Sequence, residues 1–318
     1  MIETYQLTKR FNSFLAVDGI TVSVEPGTIF ALLGPNGAGK TTTVRMLTSS
    51  LEPTSGWARV AGFDVVHQPT EVRACVGVLT EQHGLYQRMK AIEYLDFFAQ
   101  LYHLPDDLRR RRPLELMEHF GLGDALEKRL GAYSKGMQQK LALARALLHD
   151  PAVLLLDEPT SAMDPQSARL VREAILALQR AERTIAITTH NLTEAQMLAD
   201  RIAVIRRGRI IAEGTFETLA RRFVGPPLME LRTARPLNGL AADLGGLVEV
   251  VAQGDCWLRY HTADPVVDNP TLLRRLLGLG VEVVTLSEVS RTLEDVYLQI
   301  VREDEGHEHD ADSQPGAE

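Results

Sequence analysis

The chain has 318 residues, 45% of them hydrophobic and 24% charged, with a formal net charge of −8, a size and make-up that suit one large globular domain joined to a smaller one. Residues 303 to 318 hold seven acidic side chains and no Lys or Arg, so the body ahead of them is close to neutral and nucleic acid is not an expected partner. No apolar run approaches the roughly 18 residues of a membrane span, and a start without a signal-peptide pattern, with Cys75 and Cys256 as the only cysteines, points to the reducing cytoplasm.

Taken in chain order, Lys9, Arg10 and Phe11 precede a run from Thr28 to Leu33 that is nearly all apolar or β-branched, the pattern of a strand covered on both faces. It leads directly into Gly34, Pro35, Asn36, Gly37, Ala38, Gly39, Lys40 and Thr41, a phosphate-loop spacing in the context that gives it meaning, between a buried strand and a helical run. The glycines let main-chain N–H groups curl around phosphates, the helix directs its positive end at them, Lys40 reaches the outer phosphates and Thr41 ligates Mg²⁺, with Thr42 beside it. From about residue 85 to 130 the strand signals vanish; Tyr94, Phe97, Phe98 and Leu101 fall at helical spacing as the core of an all-helical insertion, and Arg109 to Arg112 read as a solvated face. Ser134 then stands where it caps a helix.

A second strand, Val153 to Leu156, ends in Asp157 and Glu158, carboxylates at the edge where an open α/β sheet presents its ligand crevice. Asp157 suits the Mg²⁺ shell and Glu158 the activation of an attacking water. Asp164 and Pro165 supply a cap and a first-turn proline for a helix to about Gln179; Thr184 to Thr189 is a third strand, and Asn191 with Glu194 reads as a capping box. This alternation predicts an α/β fold with a mainly parallel sheet. Gly225, Pro226 and Pro227 break the pattern. Strand-like pieces near 228–234, 248–253, 256–262 and 281–287, interleaved with helical ones near 237–246, 270–279 and 292–302, then suggest a small α+β domain compatible with a ferredoxin-like sandwich. The expected domains are therefore 1–224 and 225–302, followed by a disordered acidic tail, 303–318.

These residues together resemble the nucleotide-binding subunits of ABC (ATP-binding cassette) transporters, which are phosphate-loop ATPases with a parallel core, an antiparallel β subdomain and a helical insertion. Ser134, Lys135, Gly136 and Met137 look like that family's signature motif, which small-molecule kinases and GTPases lack. Ser161, Ala162, Met163 and Asp164 match its D-loop, and His190 its switch histidine, which bonds the γ-phosphate and positions water with Glu158. Phe11, with Val17 beneath it, matches the segment that stacks on adenine. The loop residue that family members usually have as Gln falls on Glu81, or on Gln82 after a one-residue shift, facing Mg²⁺ or water. Tyr133 for the usual Leu and Lys135 for the usual Gly depart from the common signature, and Lys135 with the acidic loop position resembles the ATPases of type-two exporters of the daunorubicin-resistance kind.

The resemblance implies ATP and Mg²⁺ as ligands. It also implies a head-to-tail pair of cassettes, each ATP lying between one subunit's phosphate loop and the other's signature, and a separately encoded transmembrane permease at the cytoplasmic face of the membrane, exporting a drug, antibiotic or lipid-like compound. Leu85, Tyr86 and Met89 are candidates for the permease contact. The alternatives are a soluble ABC-type ATPase acting on nucleic acid, the ribosome or another assembly, and a nucleotide-gated module that does not hydrolyse.

Overall fold

The computed structural model describes residues 1–80, 84–161, 163–179, 183–237, 239, 244 and 247–312, without the side chains of 307–312. The chain divides into two units, Met1–Phe216 and Glu217–Glu318.

In the first unit, β1 (Ile2–Phe11) and β2 (Phe14–Val24) form a hairpin. β1 also pairs with β4 (Ser55–Val60), and β4 with β5 (Phe63–Asp64), completing an antiparallel sheet. The larger sheet is ordered β10-β9-β3-β8-β7-β6, from β3 (Ile29–Leu33), β6 (Val76–Leu79), β7 (Val153–Asp157), β8 (Thr184–Thr189), β9 (Arg201–Arg206) and β10 (Arg209–Gly214). All its pairings are parallel except β9 with β10. Every side chain of β3 and β7 is buried, which is why these runs carry no alternation; each buried Leu or Ile contributes about 2 kcal/mol to folding. The sheet places the C-terminal ends of β3, β8 and β7 side by side.

Helix caps follow local chemistry. α1 (Lys40–Leu47) begins at the phosphate loop. α5 (Lys135–Ala146) is capped by Ser134, whose Oγ accepts from the N–H of Met137 at 3.3 Å; α6 (Pro165–Leu178) is capped by Asp164, which accepts from Ser167 N–H at 2.9 Å. Each cap is worth about 1 kcal/mol. α7 (Leu192–Leu198) forms only half of its expected capping box. Asn191 accepts from Glu194 N–H at 3.1 Å, but the Glu194 carboxylate turns inward to the hydroxyls of Thr160 and Thr189.

The helical insertion holds α3 (Ala91–Leu101) and α4 (Asp106–His119), after α2 (Pro69–Cys75) in the core. Its aromatic stripe is not all core. Tyr94 is fully buried and accepts a hydrogen bond from Arg145 of α5 at 2.8 Å, whereas Phe97 and Leu101 are exposed. The helix turns Tyr94 towards α5 and buries Leu95, leaving Phe97 to pack edge-on against Tyr86 at the surface. Tyr133 also goes inward, its hydroxyl donating to Ala125 O at 2.8 Å with its ionisation pushed up to about 12 by burial. Three of the four arginines of the run make ion pairs, Arg109 with Asp96 at 3.1 Å, Arg111 with Glu115 at 3.1 Å and Arg112 with Asp150 at 3.5 Å, while Arg110 is exposed.

The second unit is an antiparallel sheet ordered β12-β13-β11-β14, from β11 (Leu228–Thr233), β12 (Glu249–Gly254), β13 (Trp257–His261) and β14 (Val283–Glu288). This is the strand order of a split β-α-β arrangement. Leu231, Leu258, Tyr260 and Leu276 form its core, the last from α9 (Pro265–Gly278). The helix expected near 237–246 falls largely outside the described residues.

Two boundaries differ from the sequence reading. The units part at Phe216 and Glu217 rather than after residue 224, because α8 (Phe216–Phe223) bonds onward, Arg221 donating to Ala263 O at 2.9 Å. Gly225 therefore ends a helix that already belongs to the second unit. The acidic tail begins as helix: α10 runs from Leu293 to Asp312. Thr292 and Asp295 cap it reciprocally at 3.0 and 3.2 Å, and its Glu-rich sequence propagates a helix once nucleated. Residues 313–318 of that tail lie outside the described residues. Among the described residues, no helix is long and apolar enough to cross a membrane.

Candidate functional site

The loop between β3 and α1 has its shape from contacts as well as from glycine. A Cβ on Gly34 would sit 2.2 Å from the main-chain oxygen of Ile205. Gly39, at φ +107°, would bring a Cβ within 2.5 Å of Ala16 O, in a conformation that side chains disfavour. Lys40 folds back over this loop. It is 6% exposed, donates to Gly34 O at 2.7 Å and Pro35 O at 3.2 Å, and stands 3.4 Å from the Glu158 carboxylate.

Asp157 ends β7 almost without water contact, at 2% exposure. Its two oxygens accept from the hydroxyls of Thr41, at 2.9 Å, and Thr188, bonds that offset the cost of burying the charge. Thr41 and Asp157 thus present hard oxygens in contact at the mouth of the loop, a donor set that fits Mg²⁺, which takes one or two carboxylates and leaves its other positions to phosphate and water. Among the described residues no group of three His, Cys, Asp or Glu gathers elsewhere as a metal site.

Glu158 adopts φ +51°, a left-handed conformation that costs a non-glycine residue on the order of 1 kcal/mol and clusters at functional sites. Its N–H donates to Thr188 O at 2.9 Å, and its carboxylate meets His190 Nδ1 at 2.8 Å. The His190 side chain is 49% exposed and that of Glu158 10%. A largely covered carboxylate thereby faces the cleft between a lysine and an accessible imidazole.

One cleft brings together Asn36, Gly37, Gly39, Lys40, Thr41 and Thr42 of the loop with Glu158, Ser161 and His190. Phe14 and Ala16 of β2 line it as well. Phe11 pairs across the hairpin with Phe14; it is 44% exposed and Phe14 62%, and Lys9 Nζ lies 5.3 Å from the Phe11 ring centre. Val17 is fully buried beneath the hairpin.

The expected signature residues are held apart from that cleft. Ser134 and Lys135 are exposed at the start of α5, Gly136 and Met137 half-buried behind them, and none of the four lines the cleft. Gly136 instead approaches Ser167 Oγ and Met163 Cε of its own chain. Asp164 is spent as the α6 cap. Ala162, Glu81 and Gln82 lie outside the described residues. Sequence reading missed Phe14, Thr188 and Glu194. Phe14 was discoverable as an aromatic three residues past Phe11 across a two-residue turn; the other two gave no signal beyond their place in a strand and a helix.

The family model for the ABC transporter matches residues 17–161. The chain is 44% identical over 224 residues to the ABC transporter ATP-binding protein NatA of Bacillus subtilis (strain 168), covering 69% of this chain and 91% of the relative. It is 39% identical over 294 residues to the daunorubicin resistance ATP-binding protein DrrA2 of Streptomyces coeruleorubidus, covering 92% of this chain and 87% of the relative. The dimeric post-hydrolysis structure of the ATP-binding cassette MJ0796, bound to ADP and Pi, superposes with a TM-score of 0.62 at 22% identity over 68% of this chain and 98% of that one, a likeness of fold. With the phosphate loop, Glu158 and His190 in one cleft and a relative aligned along 92% of its length, this chain belongs to the ABC transporter family as one of its ATP-binding, ATP-hydrolysing subunits.

Proposed function

We propose that this chain powers export of a drug, antibiotic or lipid-like compound as one half of a head-to-tail pair of cassettes, docked at the cytoplasmic face of a membrane on a separately encoded permease. One observation carries the pairing: the cleft that holds Lys40, Glu158 and His190 contains none of Ser134 to Met137. The exposed Ser134 hydroxyl and the first N–H groups of α5 suit an anion, and that anion must then come from another chain. The dimer of the MJ0796 cassette supports such pairing. Likeness to a daunorubicin resistance protein through both units supports export over a soluble ATPase acting on nucleic acid or the ribosome.

In this reading the main-chain N–H groups from Gly37 to Thr41 cradle the β- and γ-phosphates, and Lys40 exchanges its carbonyl partners for phosphate oxygens. Thr41 and Asp157 would hold Mg²⁺, which when bound neutralises phosphate charge. Glu158 accepts a proton from the attacking water as its oxygen bonds the γ-phosphorus and the bond to the bridging oxygen breaks, releasing ADP. His190 holds Glu158 in place and faces the γ-phosphate.

The pairing is tested on the full-length Glu158→Gln chain by sedimentation velocity. ATP is expected to drive it from monomer to dimer, and adding Ser134→Arg is expected to abolish that shift while ATP still binds. A dimer indifferent to Ser134→Arg would overturn the composite site. The adenine platform has its own test. Phe11→Ala is expected to weaken ATP by about 5- to 150-fold through lost stacking, and Phe14→Ala by less, as the loss of a flanking apolar contact. Nucleotide titrations giving the reverse order would move the platform to Phe14.

A further inference from the structure

Glu194 is 1% exposed, an unusual burial for a residue on the first turn of a surface helix. Burial pushes its carboxyl above the usual range; hydroxyls of Thr160 and Thr189 and the more distant Arg172 favour the charged form, while Glu158 disfavours it. Thr160 Oγ1 donates to Glu194 Oε1 at 2.6 Å. Thr189 Oγ1 accepts the Asn191 N–H at 3.0 Å, and its hydroxyl favours the charged form of Glu194. An ordinary capping glutamate would have bonded back to Asn191 N–H; here a threonine has that place.

The two threonines are not arbitrary partners. Thr160 follows Glu158 by two residues, and Thr189 immediately precedes His190. The β7–β8 ladder closes at Asp157 opposite Thr188 and continues as the bond from Glu158 N–H to Thr188 O. Beyond it Glu194 accepts the Thr160 hydroxyl across the two segments, and both Thr160 and Thr189 are less than a tenth exposed. We infer that Glu194 is a positioning residue for ATP hydrolysis: its bond to Thr160 ties α7, which follows directly on His190, to the segment after β7, and so sets Glu158 against His190 at 2.8 Å. It touches neither nucleotide nor water and acts through the pair.

The inference rests on the roles given above to Glu158 and His190. Its test measures steady-state hydrolysis, ATP affinity and thermal unfolding on the full-length chain carrying Glu194→Ala, Glu194→Gln or Thr160→Val. Glu194→Ala is expected to lower kcat by on the order of 10- to 100-fold, the cost of a misplacement of about 1 Å at the chemistry, with ATP affinity unchanged. Glu194→Gln keeps an oxygen for the Thr160 hydroxyl and is expected to recover most of that loss, and Thr160→Val, which removes one grip, to fall between. A residue that merely supports the fold would lower the unfolding midpoint without moving kcat of the folded protein. The inference is overturned if Glu194→Ala leaves kcat unchanged, if its loss lies wholly in ATP affinity, or if Gln does no better than Ala. Should the Ala variant not fold, an unchanged kcat in both Glu194→Gln and Thr160→Val overturns it equally. The outcomes separate from those of the underlying reading: normal turnover by Glu158→Gln would remove the base, whereas an inactive Glu158→Gln beside a fully active Glu194→Ala would remove Glu194 alone.

Discussion

Replacing Glu158 with Gln is expected to leave ATP bound and lower kcat by about 10²- to 10⁴-fold, the usual contribution of a general base. The substitution keeps the shape of the side chain and an oxygen that His190 Nδ1 meets at 2.8 Å, so the left-handed turn at residue 158 is retained. What it removes is the capacity to take a proton, together with the negative charge 3.4 Å from Lys40. Losing that charge frees Lys40 for phosphate, and nucleotide affinity should hold or rise. Parallel measurement of phosphate release and ATP binding checks both halves. A variant that turns over normally in its assembled complex would show that another group accepts the proton.

Lys40→Ala is expected to act on the other half of the cycle, weakening ATP by about 10- to 150-fold, the range for losing a charged hydrogen bond of roughly 1.5 to 3 kcal/mol. Lys40 also ties the loop to itself through Gly34 O and Pro35 O, so its loss relaxes the cradle as well as removing a charge. Gly34 and Gly39, however, are packed against Ile205 and Ala16 independently of the lysine, and the loop should keep its course. Calorimetric titration separates the two variants: binding falls for Lys40→Ala and survives for Glu158→Gln. Equal affinity for Lys40→Ala and the parent chain would mean that the main-chain N–H groups alone hold the phosphates.

The elements that could be read from sequence are those whose cause is local. The runs forming β3, β7 and β8 are apolar because both faces are covered, and the structure starts and ends them within a residue of expectation. Asp164 and Ser134 cap their helices because each needs only an N–H three residues ahead. Tyr133, which stands where the family usually has Leu, turns its ring into the core with its hydroxyl bonded to Ala125 O; spacing cannot tell which way a side chain turns. The same limit applied to Phe97, which periodicity assigned to the core and packing left at the surface. A Gly-Pro-Pro break marks the end of a helix and does not say to which unit that helix belongs: α8 lies almost wholly in the second unit.

The sequence by itself determined the phosphate loop, the strand-end carboxylates, the histidine and the family they resemble, since each is a short pattern whose chemistry follows from spacing along one element. Only the tertiary structure decided that Lys40, at the start of α1 after β3, and Glu158 and His190, just past β7 and β8, meet within hydrogen-bond or ion-pair reach, because that depends on the order β3-β8-β7 in the parallel sheet. It also decided that Glu194, which reads as a cap, turns inward to Thr160 and Thr189. A buried carboxylate goes to whichever donors keep it from standing unpaired, and Thr160, 34 residues away, is one that the sequence does not place beside it.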